Sequence, residues 1–127
     1  MSERPRPAPR EPSAAHPITI EPTPTRVIVR VNAEVVAQTD SALTLCEASY
    51  PAVQYIPLDD VAAALTRSDT VTYCPYKGDA GYYHLRTDHG ENVEDAVWTY
   101  EQPIDAVSAI AGHVAFDPRK ADVSFEP

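Results

Sequence analysis

From Ile18 onward the chain runs in short apolar segments, each broken by turn residues before it reaches the length of a self-supporting helix, and that spacing predicts an all-β or β-rich domain. Arg26-Val-Ile-Val-Arg-Val31 and Glu34-Val-Val-Ala-Gln-Thr39 are β-branched runs on either side of Asn32-Ala33, so they read as a hairpin, although Ala is a weaker second turn residue than Gly. Ala42-Leu-Thr-Leu-Cys-Glu47 alternates, and Val53-Gln-Tyr-Ile56 follows Tyr50-Pro51. Pro57 ends that strand, having no N–H to give a ladder. Thr70 to Cys74, Gly81 to Thr87 and Val93 to Tyr100 continue the strand chemistry, the last two joined by Asp88-His89-Gly90 into an antiparallel core. Val114 to Phe116 and Val123 to Phe125 flank Asp117-Pro118 as a final hairpin. Two stretches change period. Leu58 to Arg67 places Val61, Ala64 and Leu65 on one helical face with Asp59 and Asp60 at its start, and Ile104 to Ala111 forms a second short helix closed by Gly112.

A length of 127 residues suits one core. Seven of the thirteen prolines lie in the first 24 residues, and Arg4-Pro-Arg-Pro-Ala-Pro-Arg10 has too little apolar surface to offset its ordering entropy, so residues 1–16 are expected to be a flexible tail and 17–127 the folded domain. The tail holds three of the ten basic residues, which leaves residues 17–127 with seven basic against seventeen acidic side chains, a net −10. A field of that sign repels polyanions and argues against nucleic-acid partners. No apolar run approaches a membrane span, and the start lacks the apolar stretch of a secretion signal. Cys46 and Cys74 alone make neither a disulfide scaffold nor a four-thiolate zinc site, so the expected setting is reducing and cytoplasmic.

The densest chemistry lies in Cys74-Pro-Tyr-Lys-Gly-Asp-Ala-Gly-Tyr-Tyr83. Gly78 and Gly81 allow backbone conformations that could aim amides at an anion, with Lys77 adding a positive charge; the competing reading is a tight hairpin in which Lys77 pairs with a neighbouring acid. Aromatic residues gather around the same segments. Strand alternation puts Trp98 and Tyr100 on one face and Tyr82 with His84 on one face of the neighbouring strand, so an aromatic wall is geometrically available; otherwise Trp98 fills the core with its N–H on a backbone carbonyl. Cys74 is either a nucleophile activated by Lys77 or His84, or an inert small hydrophobe. Metal binding is not expected: there is no Cys-x-x-Cys, and His84 and His89 flank a turn without ligand-pair spacing.

Glu47-Ala-Ser-Tyr-Pro51, Tyr55-Ile-Pro-Leu-Asp-Asp-Val61, Cys74-Pro-Tyr-Lys-Gly-Asp-Ala80, Ala96-Val-Trp-Thr-Tyr100 and Ile110-Ala-Gly-His-Val-Ala-Phe116 together resemble the domain-of-unknown-function-427 family over residues 16–123. The resemblance implies a mainly β fold of two antiparallel sheets in a β-tent-like arrangement, with one or two short helices. Two positions depart from the family pattern: Asp117 stands where an aromatic residue is usual, and Tyr73 where His is frequent. The family has carried a nucleotidyltransferase label, but two-metal phosphoryl transfer favours carboxylates two positions apart on a strand, and Asp59-Asp60 and Glu94-Asp95 are adjacent. The preferred expectation is a small-ligand-binding module without a cofactor. Tyr55, Cys74, Lys77, Gly78, Tyr82, Trp98 and Tyr100 would receive a small polar or anionic metabolite. The alternatives are an enzyme using the same cleft, with Cys74 or Glu47 as nucleophile or base, and a structural or interaction protein that acts through a sheet edge or the tail.

Overall fold

The computed structural model describes residues 7–127 and is built almost wholly of antiparallel strands: β1 (Ile18–Pro22), β2 (Arg26–Val31), β3 (Glu34–Thr39), β4 (Leu43–Glu47), β5 (Val53–Pro57), β6 (Ala64–Cys74), β7 (Gly78–Arg86), β8 (Asn92–Thr99), β9 (His113–Phe116) and β10 (Asp122–Glu126). Seven of them form one sheet in the order β1-β4-β5-β9-β8-β7-β6, and three form a second in the order β10-β2-β3. The first six residues of the expected tail lie outside the described residues, and residues 7–16 carry no strand or helix. Among the described residues no helix is long and apolar enough to cross a membrane.

The expected hairpin at Asn32-Ala33 forms, and both turn residues take positive φ, 47° and 70°, as a two-residue turn between right-twisted strands requires. The helix expected over Leu58–Arg67 does not form. Leu58–Asp60 makes a single 3-10 turn with no side-chain cap, and from Ala64 the chain is the long strand β6. Here the inward residues are Val61, Ala63 and Leu65, a period of two, while Ala64 is exposed. Pairing with β7 satisfies the backbone that a helix would otherwise have to satisfy within itself, and Thr66, Thr70, Val71 and Thr72 are residues that strands favour. Asp60 serves a local contact, accepting a hydrogen bond from the Thr39 hydroxyl at 2.6 Å. The second expected helix is a 3-10 segment, Asp105–Ile110, kinked at Val107.

The final hairpin is also not formed, although both of its strands are present. β9 pairs with β5 and β8 in the large sheet, while β10 pairs with β2 in the small one. Asp117, buried where the chain changes sheets, gives its N–H to the Ala96 carbonyl, and its carboxylate accepts hydrogen bonds from the Arg119 backbone and guanidinium.

Alternation along the central strands sends side chains to two separate clusters. Val114, Phe116, Ile56, Leu85 and Val97 meet Val27, Val29 and Val36 of the small sheet in the first. Ala115, Tyr55, Ala80 and Leu45 point to the opposite face of the large sheet, where Val107 and Ile110 of the 3-10 segment join them. That second face carries the candidate site.

Candidate functional site

β9 joins its neighbours through few pairs: Ile56 with Val114 and Pro57 with His113 on one side, Val97 with Phe116 and Trp98 with Ala115 on the other. On the second face its contribution is the methyl of Ala115, so Tyr55 from β5 and Trp98 from β8 meet across it, the indole Nε1–H donating to the Tyr55 hydroxyl at 3.4 Å. Trp98 is only half-buried, and its N–H partner is this hydroxyl rather than a backbone carbonyl. Tyr82, opposite Trp98 on β7, and Tyr100, just past β8, extend the aromatic wall. On the other side Leu45 and Glu47, two apart on β4, and Val53, two before Tyr55, face the same space, with Tyr50 and Pro51 at the rim. The hollow these residues enclose, together with Lys77, measures about 280 Å³.

Lys77 is buried, and its ammonium donates to Glu47 Oε1 while Nε2 of His16 lies 2.7 Å from Oε2, so both carboxylate oxygens are engaged. Burial alone would raise the Glu47 carboxyl, but the hydrogen bonds from Lys77 and His16 outweigh it and hold the group below its ordinary value. Lys77 is thus paired with an acid, but with Glu47 thirty positions away on β4 and not with a neighbour in the hairpin. The aromatic side is shifted the other way. Burial pushes the Tyr55 phenol up to about 12 despite the Trp98 hydrogen bond, and burial, with Tyr55 nearby, raises Tyr100 as well. Both present neutral hydroxyls at physiological pH.

Of the seven residues picked out from sequence, Tyr55, Lys77, Tyr82, Trp98 and Tyr100 line one hollow. Cys74 and Gly78 are not part of that lining. The Cys74 thiol sits behind it, with Sγ 3.8 Å from Lys77 Nζ. Gly78 closes the three-residue loop between β6 and β7 at φ +107°, and an added Cβ would stand 3.4 Å from the Gln102 carbonyl oxygen. Its amide is part of the turn's framework, where only glycine escapes strain. Leu45, Val53 and Glu47 were not picked out as wall residues, though the period of β4 and β5 carries the signal that puts them on the face of Tyr55; His16, thirty-one positions from Glu47, carried no local signal. No three His, Cys, Asp or Glu side chains come together as a metal-binding group among the described residues.

A family model described as a domain of unknown function, DUF427, matches residues 19–127. The chain belongs to the DUF427 family. No curated protein matches it. The DUF427 match spans every strand except the first residue of β1, so all the pocket-lining residues fall inside it, whereas His16 and the preceding segment fall outside.

Proposed function

We propose that this DUF427 domain binds a small polar metabolite carrying a ring or other planar group in the hollow between β4, β5, β7 and β8. The observation that carries the reading is the convergence of five chemistry-bearing side chains, Tyr55, Lys77, Tyr82, Trp98 and Tyr100, on one half-open space. Aromatic walls with a few polar groups are what small-molecule sites are generally built from. The space, at about 280 Å³, suits a compact ligand. Because Lys77 is neutralised by Glu47 and the domain is net acidic, the geometry favours a neutral or zwitterionic partner over a strong anion. Such a ligand would stack on Trp98 and exchange hydrogen bonds with the neutral phenols and the Lys77–Glu47 pair.

An acid–base enzyme is the weaker reading. A carboxylate held below its ordinary value by two donors is a poor proton acceptor near neutral pH, which counts against Glu47 as a base.

Trp98 is the only tryptophan, so its emission reports on the hollow directly. A metabolite panel sorted into neutral, zwitterionic and anionic compounds, titrated against that emission, should yield saturable quenching from the first two classes. Tyr50→Ala, at a rim residue 65% exposed, should weaken binding about fivefold without unfolding the domain, matching the loss of about 1 kcal/mol expected of one aromatic contact. Quenching by no compound, or quenching indifferent to both Tyr50→Ala and Lys77→Met, overturns the reading.

A further inference from the structure

Beside the hollow, the end of β6 presents Tyr73 and the loop to β7 presents Pro75 and Tyr76, and the segment before β1 lies against them. The Tyr73 hydroxyl donates to the Pro7 carbonyl at 2.9 Å, and the Arg10 backbone N–H donates to the Pro75 carbonyl at 2.9 Å. The Arg10 guanidinium stands over the Tyr76 ring, 5.5 Å from its centre. The His16 ring stacks on Tyr76 at 3.8 Å and 9° before reaching Glu47. These are the contacts by which aromatic grooves read proline-rich peptides: a tyrosine hydroxyl on a proline carbonyl, and a cation on a ring.

The spacing fits that mode. Pro7-Ala-Pro-Arg10 is restricted by its prolines to extended conformations, and at three residues per turn of a polyproline helix Pro7 and Arg10 face the same side. Charge adds to it, because the arginine approaches a domain whose residues 17–127 carry net −10.

We propose that the Tyr73–Tyr76 surface is a recognition site for an extended Pro-x-x-Arg peptide, occupied in cis by Pro7–Arg10, so that the segment is a displaceable strap. His16 then links the strap to the pocket rim through Glu47. Being intramolecular, the strap faces its site at an effective concentration in the millimolar range and excludes a free peptide until it is released.

The test uses the full chain carrying Arg10→Glu and His16→Ala, which removes the cation and the stacked ring from the strap but leaves the groove intact. A synthetic peptide of residues 7–17 is titrated by calorimetry. The released variant should bind it at least about tenfold more tightly than the unaltered chain, which keeps its own strap in place. Adding Tyr76→Ala, or using a peptide in which the arginine is Glu, should remove that gain. Equal binding by the released and unaltered chains, or binding indifferent to the peptide's arginine, overturns the proposal. Should the released variant fail to fold, hydrogen exchange on the unaltered chain decides. The Arg10 amide should exchange at least about tenfold more slowly than in the free peptide, and faster again in Tyr73→Phe. An unprotected Arg10 amide overturns the proposal. Neither readout involves the metabolite, so failure here leaves the pocket reading intact.

Discussion

Glu47 joins the two parts of the surface, taking Lys77 on one carboxylate oxygen and His16 on the other while forming a wall of the hollow. Its lowered proton affinity is also a contribution to folding. The folded-state value lies below the reference of 4.5, so the stabilisation is complete above that pH and is lost as pH falls through the folded value. Glu47→Gln should therefore cost about 2 kcal/mol at pH 7, the scale of a hydrogen bond to a charged group. The gap between variant and wild type should narrow as pH drops below 4.5. Thermal unfolding of both proteins at pH 7 and pH 3.5 checks this; a gap that does not change with pH would mean that the carboxylate contributes by shape alone. At this same scale, Lys77 and the aromatic residues stood out by residue type, because basic residues are few in so acidic a chain and this one lies among tyrosines in the sequence. The neutralising partner was not readable, since Glu47 and Lys77 are thirty residues apart and only pairing across the sheet brings them together.

At the scale of elements, the turn between β2 and β3 holds Ala33 at φ +70°, a conformation that costs a residue with a Cβ about 1 kcal/mol or more. Ala33 is exposed, so nothing else opposes its replacement. Ala33→Gly should raise stability by about 0.5–1 kcal/mol, which in a domain of this size lifts Tm by a few degrees. Differential scanning calorimetry reads the sign, and a lower Tm would show that the turn is held by something other than its dihedrals. The same elements show where local patterns mislead. Val61, Ala64 and Leu65 fit a helical face on paper, yet 61, 63 and 65 are the residues that pack inward, because a short apolar stretch satisfies both periods and the β7 ladder decides between them. Likewise Asp117-Pro118 is correctly a turn, but a turn does not state whether the next strand returns to the same sheet.

For the whole molecule, the large sheet carries a separate cluster on each face. Ile56, fully buried between the sheets, belongs to the first, and Tyr50 stands at the rim of the hollow served by the second. Ile56→Ala should cost about 3 kcal/mol in chemical denaturation, the range of large-to-small core changes. Tyr50→Ala should stay within about 0.5 kcal/mol of wild type, as exposed positions generally do. A Tyr50→Ala variant as damaged as Ile56→Ala would mean that the hollow is part of the structural core and cannot be altered separately.

Short β-branched runs and turn residues were enough to specify an antiparallel, mainly β domain, and the clustering of Tyr, Trp and Lys was enough to point to the neighbourhood of the hollow, because strand period and turn chemistry are local properties of the chain. Which strands pair, where the chain changes sheets, that Gly78 shapes the loop instead of facing the hollow, and that His16 and Arg10 lie on the loop between β6 and β7 were decided by the tertiary structure. Those relations join residues tens of positions apart. Their energies arise only once both partners are brought together and water is excluded from between them, and neither condition is written in any single segment.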